Sequence, residues 1–178
     1  LLTSLEHDPS RFIIRGELIE GRQKENIRRT GKSQLFNDPN SNFNPAPRQW
    51  CMIDIDDLEL PTEYADIDAS KSDILAYSTA KLPEAFRGVD CHYQFSASMG
   101  VKKDKVRVHL WYWLNRSVSD AEMKAWMGQS DVPVDMSLFR PVQPHFTANP
   151  IFENGAINPL PNRSGLYDAH NGQDTVTV

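Results

Sequence analysis

Asp54 and Asp56 stand two residues apart in the apolar stretch 50–57, and they are the sharpest chemical signal in the chain. Side chains alternate along a strand, so these two carboxylates share one face while Ile53 and Ile55 take the other, where a core would bury them. Two carboxylates side by side repel each other. A hard divalent cation offsets that repulsion, and Mg²⁺ is typically held by one or two carboxylates together with substrate phosphates. The pattern points to the metal-binding floor of a nucleotidyl-transfer site. The plainer reading is a solvated strand exit, since further acid and Pro61 follow.

A second strand pattern covers 105–114. Val106, Val108, Leu110 and Tyr112 share one face, and Lys105, Arg107, His109 and Trp111 the other. A basic, imidazole-bearing face on a central strand costs free energy unless it meets partners, and anionic phosphates are such partners. A lone histidine is more often a hydrogen-bonded core residue, but Arg107 on the same face weighs against that for His109. In 89–98, Cys91, Tyr93, Phe95 and Ala97 alternate with His92, Gln94, Ser96 and Ser98, and the turn 99–104 closes a hairpin. The polar stretch 20–47 carries Arg22, Lys24, Arg28, Arg29 and Lys32. It reads either as a solvated loop or as a contact to nucleic-acid phosphate, with Arg28 and Arg29 at its centre.

Several elements must position these residues. A first strand is expected over 11–19, with Gly16 marking a bulge or a close backbone approach. A helix from 70 or 72 to 82 carries Ile74, Leu75, Tyr77 and Leu82, and Pro83 helps end it. Ser119 and Glu122 form a capping box opening a helix that ends near Gly128, with Met123, Trp126 and Met127 on its core side. Residues 142–148 read as a strand that Pro144 confines to an edge. From 149 onward the chain reads as irregular, with a short strand at 175–178. There is no internal repeat and no Walker-type phosphate loop.

The chain has 178 residues, enough for one domain with a real core. Its 39% hydrophobic and 24% charged residues are ordinary for a globular protein. A net charge of −5 does not advertise a nucleic-acid binder, although a local basic groove would suffice. Cys51 and Cys91 make no Cys-x-x-Cys pair, so no structural zinc site is expected; they read as buried thiols of a cytoplasmic protein. No apolar run approaches the roughly 20 residues of a membrane span, and no signal peptide is visible. Leu1 is not an initiator Met, which points to a fragment or a processed chain.

Taken in order, Asp54-x-Asp56, the hairpin with Ser96, Ser98 and then His109, and Val134-Asp135 resemble the archaeo-eukaryotic primase superfamily, the primase-polymerases. That family pairs an Asp-x-Asp strand with a Ser-x-His-like second motif and a hydrophobic-Asp third motif. The resemblance covers roughly 11–152, and 135–150 looks like the phage and plasmid members, which are often fused to a helicase. Arg107-Val108-His109 stands where the family has Ser-x-His, so the small hydroxyl would come from Ser96 or Ser98 on the neighbouring strand. The zinc module of some members is missing.

The resemblance implies that Asp54, Asp56 and Asp135 hold two divalent ions, Mg²⁺ or Mn²⁺, that bridge a primer 3′-hydroxyl and an incoming nucleoside triphosphate. His109 and Arg107 would contact the nucleotide, with Ser96 and Ser98 beside them, and the chemistry of Arg140 suits a further phosphate contact. The implied fold is α/β (α+β): an RRM-like catalytic core over 49–152, a small N-terminal α/β module over 1–48 and a C-terminal extension over 153–178. The implied partners are a DNA template and primer, nucleoside triphosphates and a helicase domain or protein.

Two other classes compete. A non-catalytic RRM-like module would stack bases on strand aromatics, for which Trp111 and Trp113 are candidates unless they are core. A metal-dependent nuclease would use the same carboxylates for hydrolysis. A relaxase is disfavoured, since neither a His-x-His pair nor an obvious nucleophilic Tyr accompanies the acids.

Overall fold

The computed structural model describes residues 1–21, 42–102, 104–131 and 134–178. The basic cluster Arg22, Lys24, Arg28, Arg29 and Lys32 lies outside the described residues. Helix α1 (Leu2–Leu5) and three two-residue strands, β1 (Phe12–Ile13), β2 (Glu17–Leu18) and β3 (Phe43–Asn44), precede the long strand β4 (Arg48–Glu59). Helix α2 (Lys71–Thr79), strands β5 (Cys91–Phe95) and β6 (Lys105–Val118) and helix α3 (Asp120–Met127) follow. Strands β7 (His145–Phe146), β8 (Ser164–Tyr167) and β9 (Thr175–Val176) come last.

The main sheet has five strands in the order β4-β6-β5-β8, with β9 also paired to β6. All its pairings are antiparallel except β6–β9. Strands β4 and β5 run the same way, are joined through α2, and have β6 inserted between them, which is a split βαβ arrangement. The chain is thus a mixed α and β fold, as its pattern predicts.

Period-two patterning explains why the sheet has two different faces. Cys51, Ile53 and Ile55 of β4, Val106, Val108, Leu110 and Tyr112 of β6, and Cys91, Tyr93 and Phe95 of β5 bury one face. Ile74 and Leu75 of α2 and Met123 and Met127 of α3 belong to the same core. Helix α3 begins at the expected capping box: Glu122 N donates to Ser119 Oγ at 3.2 Å, and Ser119 N to Glu122 Oε2 at 2.9 Å. The second face buries only a small cluster, Met52, Trp111 and Leu138, with Leu2, Ile13 and Trp50 packed against it. The polar residues of β4, β5 and β6 are on this second face.

The single strand expected over 11–19 is instead two short strands broken at Arg15-Gly16. Arg15 is fully buried, and its guanidinium donates to Asp120 Oδ1 (2.7 Å), Trp50 O (2.8 Å) and Val118 O (3.0 Å). Three acceptors on two strands and a helix start turn this segment into a fastening rather than a ladder. Gly16 donates its amide to Pro141 O at 2.8 Å, and a Cβ there would stand 2.5 Å from that oxygen, so the glycine marks a close backbone approach.

The region after 149 is less irregular than its composition suggests, since β8 pairs along β5. Its Ser-Gly-Leu-Tyr sequence has no strand signal, but Gly165 leaves room for the Tyr93 ring, whose nearest atoms would be 3.3 Å from an added Cβ. The strand read over 142–148 shrinks to β7, which pairs with β1 apart from the main sheet. The short terminal strand β9 forms as expected. Both cysteines are buried and free, and burial pushes each thiol up to about 12. No helix among the described residues is long and apolar enough to cross a membrane.

Candidate active site

Strand register sets the site. Asp54 of β4 lies directly opposite His109 of β6, and His109 lies directly opposite Gln94 of β5. Ser164 of β8 continues the row as the partner of Gln94. A polar line therefore crosses four strands on the thinly covered face. His109 Nε2 stands 3.7 Å from Asp54 Oδ1, beyond hydrogen-bond reach. One step along, Arg107 Nη1 is 3.5 Å from Asp56 Oδ1. Between Ile55 and Leu58 the register with β6 shifts, and the two residues of that irregular stretch, Asp56 and Asp57, are exposed.

Burial and charge act on these groups in opposite directions. The Asp54 side chain is only 16% exposed, and its Oδ1 has no hydrogen-bond partner. Desolvation first, then the negative charges of Asp56 and Asp135, push its carboxyl up to about 7, with Arg107 opposing. Desolvation also pulls His109 below the ordinary imidazole value against the pull of Asp56, and its Nδ1 has no partner. Arg107 Nε is likewise buried without a partner. Four polar side chains thus face one another across two strands while leaving several buried donors and acceptors unspent, which suits a ligand that brings both charge and hydrogen bonds.

The other predicted residues join this group to different degrees. Asp135 caps the 3₁₀ turn Met136–Leu138, with Oδ1 accepting from Ser137 N and Oδ2 from Ser137 Oγ, both at 2.8 Å. That turn packs against β4, and the Asp135 charge reaches Asp54. Ser96 donates its amide to Arg107 O at 3.0 Å, and its Oγ is 3.2 Å from Ser98 Oγ, so both serines sit at the hairpin end beside Arg107. Arg140 is exposed and makes no ion pair among the described residues; nothing brings it to the carboxylates. Arg28 and Arg29 lie outside the described residues.

Asp54 and Asp56 are neighbouring carboxylates, the oxygen-donor type that hard divalent cations take, and Asp54 Oδ1 has no hydrogen-bond partner. Both Asp135 oxygens accept hydrogen bonds from Ser137. Among the described residues no group of three or more His, Cys, Asp or Glu side chains is placed to hold a metal ion.

Three features escape a reading of the sequence. His145 is fully buried, with ring centroids 5.6 Å from Trp50 and 5.7 Å from Trp111, and burial pulls its imidazole down to about 4. Arg163, 2% exposed, donates to Ser96 O (2.6 Å), Met99 O (3.3 Å) and Asn158 Oδ1 (3.0 Å), fixing the hairpin end that carries the serines. Gln94 reaches Thr147 O at 2.7 Å, fastening the segment after β7 onto the sheet. Each depends on long-range packing that no local period encodes. The two tryptophans divide: Trp111 is buried, whereas Trp113 is 65% exposed on the same face.

Comparison of the chain with protein-family models, with curated proteins and with solved structures finds no match.

Proposed function

We propose that this chain is a nucleotidyltransferase of the primase-polymerase type, acting on a DNA template and primer with nucleoside triphosphates in the replication of a phage, plasmid or other mobile element. The observation that carries the reading is the register of β4 and β6, which sets Asp54 opposite His109 and Asp56 beside Arg107 on one face of the sheet. The split βαβ order of β4, α2, β5 and β6 supports an RRM-like catalytic core, with β8 joining the sheet beside β5 rather than β4.

In this reading Asp54 and Asp56, joined by Asp135, hold two divalent ions, Mg²⁺ or Mn²⁺, whose chemistry when bound is to neutralise charge on the attacking and leaving oxygens. His109, kept neutral by burial, donates or accepts a hydrogen bond at the triphosphate. Arg107 exchanges its long pairing with Asp56 for a phosphate oxygen, a stronger charge-assisted contact. Ser96 and Ser98 supply hydroxyls beside it. Arg140 and the basic pair Arg28 and Arg29 contribute positive charge along the nucleic acid. A helicase, in the same polypeptide or separate, is the expected replication partner.

One observation favours a second reading. The exposure of Trp113 on the site face suits base stacking, as in a non-catalytic RRM-like module. Extension of a labelled primer–template in Mg²⁺ or Mn²⁺ with all four nucleotides separates the two. Metal-dependent extension that Asp54→Ala abolishes supports the enzyme. Binding of single-stranded DNA that persists in EDTA without extension supports the module, and degradation without added nucleotides points to a nuclease.

A further inference from the structure

Ser96 continues the β5–β6 register one place beyond Phe95 and donates its amide to Arg107 O at 3.0 Å, so it stands opposite Arg107. Cross-strand partners share a face, with Cβ atoms about 5 Å apart. The Ser96 hydroxyl is 3.2 Å from that of Ser98, and each brings a single proton. When one donates to the other, the second proton is left for a ligand. The buried Arg163 holds this hairpin end in place, donating to Ser96 O at 2.6 Å and to Met99 O at 3.3 Å.

Arg107 supplies the charge. Its side chain is 15% exposed, and its Nε is buried without a partner. Its ion pair among the described residues is the 3.5 Å approach of Nη1 to Asp56 Oδ1. The Asp56 side chain is 55% exposed, so its carboxylate can turn to water at little cost when another anion arrives. A guanidinium fork takes two oxygens of a phosphate, and a neighbouring hydroxyl takes a third. We propose that Arg107, Ser96 and Ser98 form an anion seat that receives the terminal phosphate of a polyphosphate directly, with no cation between them. The inference deepens the nucleotidyl-transfer reading and rests on it for the nucleotide that carries the phosphate.

The test is binding of inorganic tripolyphosphate to the full chain in EDTA, followed by isothermal titration calorimetry. The native chain should bind. Arg107→Ala should weaken binding at least roughly tenfold, and Ser96→Ala roughly fivefold. Arg107→Lys should restore only part of the loss, since an ammonium lacks the fork. Asp56→Asn should bind as tightly as the native chain or tighter, because it removes the competing carboxylate. Binding that requires Mn²⁺ and weakens in Asp56→Asn overturns the direct seat and leaves the nucleotidyl-transfer reading standing. Binding in EDTA that Arg107→Ala leaves unchanged overturns the assigned residues. Tighter binding of a 5′-hydroxyl single-stranded oligonucleotide, displacing tripolyphosphate, overturns the polyphosphate and assigns the seat to a nucleic-acid backbone. No binding with or without Mn²⁺ overturns both the seat and the nucleotide reading.

Discussion

Asp54 and His109 face each other across β4 and β6 at 3.7 Å without forming a hydrogen bond, and desolvation drives both toward their neutral forms. Two groups that would pair as ions at the surface here stand neutral side by side. The site is therefore electrostatically unsatisfied in the protein alone, and its stability should depend on pH and on cations.

Asp54 makes the first dependence. Its carboxyl holds its proton to about 7 in the folded chain, against roughly 4 when unfolded. The folded state binds the extra proton between those values, so its contribution to stability falls as pH rises from about 4 to above 7, by about 4 kcal/mol in all. Asp54→Asn should remove that loss. Urea unfolding at pH 5 and pH 8 in EDTA should show the variant gaining on the native protein at the higher pH. An equal difference at both pH values would contradict the assigned environment.

His145 works in the other direction. Burial between Trp50 and Trp111 pulls its imidazole down to about 4, from roughly 6.5 when unfolded. The unfolded chain therefore takes up the proton first, and stability drops as pH falls from about 6.5 through 4, by roughly 3 kcal/mol. His145→Phe should flatten the acid limb of the unfolding curve. Because Asp54 and His145 partly cancel over this range in the native protein, the differences between variants carry the test.

Arg15 should be a stability-critical charged residue. Removing a guanidinium that serves three acceptors would strand Asp120, 11% exposed, with no counter-charge. Arg15→Ala should cost about 3–5 kcal/mol in chemical denaturation. Arg15→Lys should recover little of it, since one ammonium cannot reproduce the fork geometry.

Arg107 gives a kinetic prediction within the proposed activity. Its pairing with Asp56 is long and half-exposed on the acid side, so it contributes little to the fold. Arg107→Ala should unfold within a few degrees of the native protein while raising the KM for nucleotide roughly tenfold or more, the scale of a lost charge-assisted hydrogen bond. A large fall in thermal stability with KM unchanged would make Arg107 a structural residue only.

Much of this was legible in the residues. The alternations through Asp54, His92 and His109 placed the polar side chains on one face, and Ser119 with Glu122 marked the start of α3 in the right place. Those signals are local, set by side-chain period and capping geometry. What was not legible came from distant partners. Arg15 reads as one residue of a strand until its acceptors on β4, β6 and α3 are known. The strand character of Ser164–Tyr167 comes from the β5 edge it joins, and the Ser137 cap on Asp135 is set by the turn that follows it. Trp111 and Trp113 look alike in sequence, and Trp111 is covered by Leu138, Trp50 and His145, which the sequence does not bring together.

The insertion of β6 between β4 and β5 has a consequence for how the protein is made. Asp54 and His109 meet only after a helix and a whole hairpin have been laid down between them, so no short fragment contains the floor and its counter-face together. The β5–β6 hairpin can form on its own contacts, but β4 must then be captured across a long stretch of chain. Assembly of the site should accordingly wait on capture of β4, and ribosome-bound chains that stop before β6 would present the acidic strand as an unpaired edge open to chaperones.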